Sequence, residues 1–266
     1  MPILEARGVE LSWQERGGGA LVLLIHETAT GAAAWNRVET ALSERARAVS
    51  YDRRGWGSST APPGYQRTTI EEQSEDAAVL TESLAAGPAL LCGAGIGAVI
   101  ALDLALRRPE LVAGSVLVEP DVLALVPAAT GALSDDRHAL ERAVAEGGAE
   151  GAAALYLSGR LSALGAGLGR LPTALTGEGR RRPARIFAEL GAAAAWSMPL
   201  ARLADAQRPV LIVTASSTPP LLREGARALQ GRLGASETVE VAAGRTPPHI
   251  GAPDEVAAVI LALAGR

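Results

Sequence analysis

The chain has 266 residues, 48% hydrophobic but only 3% aromatic, and its 25 basic and 29 acidic side chains leave a formal charge of −4. That length suits a single α/β domain whose core is filled by Ala, Leu and Val instead of aromatic rings. The near-balanced charge excludes the basic surface that nucleic acid requires, and the lone Cys92 excludes an internal disulfide or a cysteine metal cluster.

No apolar run reaches the roughly 18 to 20 residues of a membrane span. The N-terminal stretch Met1 to Arg7 is charged early and lacks the apolar centre of a signal peptide, so a cytoplasmic location is expected. Leu4 to Glu15 alternates weakly around Gly8-Val9 and predicts an antiparallel hairpin at a sheet edge. After Gly17-Gly18-Gly19, the continuous run Leu21 to Ile25 has the pattern of a strand buried on both faces. His26-Glu27-Thr28-Ala29-Thr30-Gly31 then leads into an amphipathic helix through Trp35, Val38 and Leu42.

Ala46 to Tyr51 is a short strand, followed by Asp52-Arg53-Arg54-Gly55-Trp56-Gly57-Ser58-Ser59, a turn that an Asp52–Arg54 ion pair is expected to pin. Ile70 to Leu84 is an acidic-faced helix. Next, the apolar Ala89 to Cys92 meets Gly93-Ala94-Gly95-Ile96-Gly97 and passes into Val99, Ile100, Leu102, Leu104 and Leu106 at helical spacing, which predicts strand, sharp turn, helix. Gly114 to Val118 is the next strand and ends in Glu119-Pro120-Asp121. The alternation from Leu21 to Glu119 predicts a parallel sheet with right-handed crossovers, whose ligands gather at the carboxyl ends of the strands.

From Leu123 to Leu203 the chain is rich in Ala, Leu and Gly with helical periodicity and no convincing strand, and Gly159, Gly165, Gly167 and Gly169 suggest short helices with flexible joints. Arg180-Arg181-Arg182 has the character of a solvated helix start. The sheet resumes with Pro209 to Thr214, a helix over Leu221 to Leu233, the strand Thr238 to Val241 and a last helix from Pro253 to Leu263. Residues 1–122 and 204–266 are therefore expected to form the core, with 123–203 as an inserted helical cap.

The Gly93 to Gly97 turn resembles the nucleophile elbow of the α/β-hydrolase superfamily, and Asp52 to Ser59 resembles that superfamily's Asp-x-Arg-Gly-x-Gly-x-Ser turn. The resemblance implies an α/β-hydrolase fold, a mostly parallel central sheet with an inserted helical cap over the pocket. It also implies where the catalytic groups belong. The nucleophile position is Gly95. Glu27 stands where a glycine usually supplies an oxyanion-hole N–H, Ser216-Ser217-Thr218 at the acid position carry only hydroxyls, and the histidine position falls on Thr246. A glycine forms no covalent intermediate, and losing the nucleophile of a triad costs ~10⁶ in turnover. Glycine does relieve the strain of an elbow, on the order of 1 to 3 kcal/mol.

The expectation is an enzyme without covalent catalysis, performing a non-hydrolytic acid/base or shape-guided step (cyclase, dehydratase, isomerase or lyase) on a small apolar molecule. Two alternatives stand beside it: a non-catalytic pseudo-hydrolase that binds a ligand or partner, and a hydrolase that activates water directly through Glu119 or His249. The candidate catalytic groups are Glu119, His249 and Asp121; His26, Glu27, Gly95, Ile96, Arg245 and Thr246 are expected around the pocket.

Each has a plainer reading. Glu119 could cap a helix or pair with an arginine, Asp121 could be an N-cap, His249 could be a packed loop residue and His26 a structural one, while His138 has the setting of an exposed residue. The three scattered histidines show no metal-ligand spacing, and the glycine cluster lacks the final spacing of a dinucleotide fingerprint, so neither metal nor cofactor is expected. Nucleic acid and membrane are not expected partners. The oligomeric state stays open, a homodimer included.

Overall fold

The computed structural model describes residues 1–84, 87–165, 168–197, 200–206 and 208–265. Strands β1 (Ile3–Ala6) and β2 (Val9–Arg16) form the antiparallel hairpin expected at the sheet edge, and β2 runs antiparallel to β4 (Arg47–Tyr51). The other pairings, among β3 (Leu21–Ile25), β4, β5 (Ala89–Ala94), β6 (Val112–Val118), β7 (Val210–Ala215) and β8 (Ser236–Val241), are parallel. The eight-stranded sheet has the order β1-β2-β4-β3-β5-β6-β7-β8. All five residues of β3 and all six of β5 are buried, as strands covered on both faces require.

The sequence reading of these elements holds to within a few residues. Helix α1 (Asn36–Leu42) and the C-terminal helix pack one face of the sheet through Val38, Leu42, Val256 and Ile260. Helices α2 (Ile70–Leu84) and α3 (Ile96–Arg107) cover the other face through Ile70, Leu80, Val99 and Ile100.

Between β6 and β7 the described residues form helices: α4 (Thr130–Leu157), α5 (Gly177–Arg181), α6 (Pro183–Ala195) and α7 (Leu200–Ala204). The expected short helices are corrected in part, because α4 spans 28 residues and breaks only at Gly147 and Gly148, the latter with φ +59°. Gly159 and Gly165 do adopt positive φ, and Gly167 lies outside the described residues. After β7 come α8 (Pro220–Gln230), α9 (Pro248–Gly251) and α10 (Pro253–Ala264). The arginine run is solvated at Arg180 and Arg181, whereas Arg182 donates to the carbonyls of Gly55 and Gly57 at 2.8 and 2.6 Å.

The Asp52–Arg54 ion pair does not form. Asp52 instead accepts the backbone N–H groups of Ala32 and Ser58 at 2.9 and 2.8 Å, and Arg54 forks onto Asp76 of α2 at 2.5 and 2.6 Å. A carboxylate beside a tight turn finds turn N–H donors before it finds a neighbouring side chain.

A second buried arginine ties the helical segment to the sheet. Arg53, 1% exposed, pairs with Glu189 of α6, 3% exposed, while Glu189 also accepts from Thr28 Oγ1 at 2.6 Å and Trp56 Nε1 at 2.7 Å. Removing one partner of such a pair leaves an uncompensated charge in the interior. Glu189→Gln should therefore lower unfolding stability by about 3 to 5 kcal/mol, read as a shift of the urea midpoint at unchanged slope. A loss below about 1 kcal/mol, the range of exposed pairs, would show that the pair is not desolvated.

Candidate active site

The sheet order sets the site. β4 lies on one side of β3 and β5 on the other, so the chain reverses its direction of winding between β3 and β5. The loops leaving these two strands diverge there and open a crevice at their carboxyl ends. Ile25 pairs with Gly93 and Ala94 with Val118, which brings the segments that follow, Glu27, Gly95 and Glu119 to Asp121, to one place.

The turn into α3 demands glycine at two positions by close approach. A Cβ on Gly93 would lie 2.1 Å from the Gly97 carbonyl oxygen, and one on Gly97 would lie 2.3 Å from that of Ile25. Gly95, at φ +54° and ψ −119°, is glycine for a different reason: the backbone is in a region that L side chains rarely adopt. A Cβ there would stand 3.2 Å from Glu27 Cβ and 3.3 Å from Asp121 Oδ2. The Gly95 N–H donates to Val118 O at 3.1 Å and its carbonyl accepts from Ala98 N at 3.1 Å, so the turn is fixed to β6 and to α3. The first N–H groups of α3 have no partner within the helix, and the helix begins beside the crevice.

Above Gly95 lies a small cavity of about 30 Å³, lined by Glu27, Thr28, Glu119, Asp121, Tyr156 and His249 among its polar residues. By the same measure one water needs roughly 10 to 15 Å³, so the space suits one or two water-sized groups. Its apolar wall includes Val118, Leu168 and Leu222.

The expected catalytic groups all reach this cavity, but in different states. Glu119 is 5% exposed and holds φ +43°, a conformation a non-glycine residue keeps only when its surroundings impose it. Here Arg170 donates to both its carboxylate oxygens at 2.6 Å and Thr218 Oγ1 donates to Oε1 at 2.5 Å. Arg170 also reaches Ser217 Oγ at 3.0 Å and the carbonyls of Thr246 and Arg245 at 2.9 and 3.2 Å. Glu119 is thus occupied by an arginine, and the hydroxyls at the acid position serve that pair.

Asp121 does not cap a helix; the next helical turn has Val122 at its N-cap. Asp121 is exposed and lines the cavity beside Glu27 and Glu119. Protein atoms crowding its carboxyl, followed by the negative charges of Glu27 and Glu119, push its pKa up to about 7, and solvent at this exposed residue screens part of that shift.

His249 of α9 is 1% exposed and its ring lies against Trp35, with centroids 4.6 Å apart. Its Nε2 is 3.1 Å from Glu27 Oε1 but out of line for a hydrogen bond, and Glu27 Oε1 and both ring nitrogens are buried with no hydrogen-bond partner.

The structure does not bring His26, Ile96, Arg245 or Thr246 to the cavity wall. His26 is fully buried, accepts the Arg53 N–H on Nε2 at 3.0 Å and therefore donates from Nδ1 to the Glu27 carbonyl at 2.8 Å. Burial first, and the Arg53 charge second, hold it neutral, with its pKa well below the usual histidine range. It shapes the Glu27 loop from below. Ile96 packs into the core, Arg245 is exposed and contributes a carbonyl, and the Thr246 hydroxyl turns back to Ala243 O at 3.1 Å. His138 is exposed, as expected.

Sequence reasoning missed Tyr156, Arg170, Thr28 and Leu222, which come from helical or hydroxyl-rich stretches with no local motif. Burial, then the negative charges of Asp121, Glu27 and Glu189, raise the Tyr156 phenol well above its usual range and keep it protonated. Among the described residues, no group of three or more His, Cys, Asp or Glu side chains is arranged to hold a metal ion. No described helix is long and apolar enough to cross a membrane.

The model of the alpha/beta hydrolase family matches residues 22–259. A Bacillus subtilis protein named as the uncharacterized hydrolase YraK is 34% identical over 123 residues, which are 46% of this chain and 45% of that relative. A 2-(acetamidomethylene)succinate hydrolase from Mesorhizobium japonicum is 31% identical over 42% of this chain and 39% of its own length. These alignments span less than half the length of either relative. The crystal structure of an alpha/beta hydrolase from Sphaerobacter thermophilus covers 99% of this chain and 100% of its own, with a TM-score of 0.73 and 22% identity, which shows the shared fold. The names of the sequence relatives overturn the expectation of a non-hydrolytic cyclase, dehydratase, isomerase or lyase, and equally that of a binding protein without turnover, because they are hydrolases.

The Asp121 environment has a consequence for stability. Its folded pKa, about 7, lies above its ordinary value of 3.8, so the folded state holds a proton that the unfolded chain releases first. Stability is therefore lost as pH rises from about 4 to 7, and the penalty is complete above that window. Asp121→Asn should raise the melting temperature relative to the parent at pH 8, with the difference shrinking toward pH 4. An equal difference at both pH values would mean that Asp121 titrates as an ordinary surface carboxylate.

Proposed function

The chain belongs to the alpha/beta hydrolase family, and from that premise we propose that it is a hydrolase in which water, activated by Asp121, attacks the substrate directly. One observation carries the reading. The place where an elbow side chain would begin is empty of a nucleophile and bordered at 3.3 Å by the Asp121 carboxylate, whose pKa is raised from its usual value by its neighbours Glu27 and Glu119. A base titrating there is ionised enough to accept a proton at neutral pH and strong enough to take it from water, the condition general-base catalysis favours.

In this account a water molecule in the cavity loses a proton to Asp121 as its oxygen bonds to a substrate acyl carbon. The oxyanion that forms faces the open N-terminus of α3 and the backbone N–H of Glu27, the groups the family resemblance assigns to it. Collapse of this intermediate breaks the bond to the leaving group, which receives the proton from Asp121, and the carboxylate is restored. Glu119, already neutralised by Arg170, positions the wall instead of moving the proton.

The substrate class in this proposal is a small acyl compound, an ester, amide or carbamate. The relative from Mesorhizobium japonicum is named for hydrolysis of such a compound, as is a putative carbamate hydrolase from Azorhizobium caulinodans, 30% identical over 44% of this chain and 44% of that relative. We read the helical segment 123–203 as a cap. Tyr156, Gly165 and Leu168 in it line the cavity, so this segment shapes which substrate fits.

With small activated esters and carbamates as substrates, the rate should rise with pH through about 7 and level off above it, following ionisation of Asp121. Asp121→Asn should lower it by roughly 10² to 10⁴, the usual contribution of a general base. A pH-independent rate, or wild-type turnover in that variant, would sink the mechanism.

A further inference from the structure

We propose that Tyr156 is a further catalytic residue of this site, its phenol O–H donating to the substrate carbonyl oxygen as negative charge develops there. The inference rests on the hydrolytic reading for the reaction, and on the packing of the helical segment for where the phenol stands.

Tyr156 lies near the end of α4, past the break at Gly147 and Gly148, and is 7% exposed. Its ring belongs to the same apolar cluster as Trp56, Leu161 and Ile186. A Cβ on Gly165, itself at φ +77°, would stand 3.0 Å from Tyr156 Cε2, so the backbone passes this close to the ring only as glycine. The ring is held in this way, while Tyr156 lines the cavity and its phenol meets Thr28. A tyrosine so placed gives its apolar body to packing and its polar tip to the space beyond.

The other polar side chains of the lining are engaged. Glu119 accepts from Arg170 and Thr218. Glu27 Oε1 and His249 Nε2 stand 3.1 Å apart and face each other. Asp121, ionised as the base, only accepts. The Thr28 hydroxyl donates its one proton to Glu189 Oε2 at 2.6 Å. In the hydrogen bond between Thr28 and Tyr156 the phenol is therefore the donor. Among the described side chains lining the cavity, Tyr156 carries the hydroxyl proton that no carboxylate holds.

That donor suits a developing oxyanion. Its resting acceptor is a neutral hydroxyl oxygen, and an O–H turns about its own C–O bond without moving the ring. Hydrogen bonds to ionised groups are roughly twice as strong as neutral ones, so the donor turns to the carbonyl oxygen as charge builds on it. An interaction that strengthens along the reaction coordinate raises the rate of the chemical step. Burial, and then the charges of Asp121, Glu27 and Glu189, oppose loss of the phenol proton, so the group donates without titrating. The proton taken from water still passes to Asp121 and on to the leaving group.

The experiment uses the full chain and Tyr156→Phe, which removes one oxygen and keeps the ring. With the acetate esters of 4-nitrophenol, phenol and ethanol at pH 8, kcat should fall by about 10² to 10³, the cost of losing one oxyanion donor, with KM little changed. The fold-loss should be the same for each leaving group. A loss that grows as the leaving group worsens would make Tyr156 a proton donor to that group, and parent-like kcat would make it a packing residue; either overturns the inference.

Acetone with a carbon-13 carbonyl, a ketone with no bond to hydrolyse, gives a readout apart from turnover. Its infrared carbonyl band in the parent should lie below that in water, saturably, and should rise in Tyr156→Phe. An equal band in both proteins would contradict the donor role, and a parent band no lower than in water would do so even if the variant failed to fold. The two readings fail separately. A lowered band in a chain that turns over no ester keeps the phenol as a carbonyl donor and removes hydrolysis, while Asp121-dependent turnover with parent-like kcat in Tyr156→Phe removes only the phenol.

Discussion

The site depends on how closely the elbow backbone folds against itself and against the end of β3. Gly93 and Gly97 admit carbonyl oxygens at distances no Cβ tolerates, 2.1 and 2.3 Å from the atoms a side chain would occupy. This contact sets α3 against the end of β3, so the loop leaving β3 faces the turn leaving β5 across the point where the winding reverses. Glu27 and Gly95 then share one small space, and the parallel pairing of β5 with β6 delivers Asp121 to the same space. Substituting either close-approach glycine would move both loops, whereas Gly95 itself is set by its backbone angles and by what crowds it.

Two buried ion pairs attach the helical segment to this frame. Arg53 with Glu189 links the loop after β4 to α6, and Arg170 with Glu119 links the far side of the cavity to the end of β6. Both are desolvated, so each costs much to break from one side while adding little net stability over a well-packed apolar contact. What they provide is position. The first secures Thr28 through Glu189, and the second holds Glu119, the Ser217 hydroxyl and the loop before His249 at once. The wall of the cavity is in this way set by charges, and its floor by glycine.

Most of the fold was legible in the sequence because central parallel strands leave continuous apolar runs and the elbow leaves a dense cluster of glycines. Leu21 to Ile25 and the start at Ala89 show this directly. The site was legible only in part. Glu119, Asp121 and His249 could be placed at the carboxyl edge because they follow strands or close the last loop, yet their partners could not be read. Arg170 lies 51 residues from Glu119, and Glu189 lies 136 from Arg53, with no local pattern at either end. Arg54 illustrates the same limit: Asp52, two residues away, was the obvious partner by sequence, and Asp76 in α2 is the actual one. Tyr156 lies in a long helix of mixed character, where nothing marks it as facing a cavity.

The central claim is that water attacks without a covalent intermediate on Asp121 or Glu27, and the two routes differ in where oxygen goes in the first turnover. A single turnover of an activated ester in water enriched in oxygen-18, with enzyme in excess, separates them by mass spectrometry of product and protein. Direct attack predicts one labelled oxygen in the acid product of that first turnover, none in the protein, and no acylated protein in samples quenched during the turnover. An unlabelled product with the label appearing in the carboxylate of Asp121 or Glu27 would show that a side chain is the nucleophile, and would contradict the account.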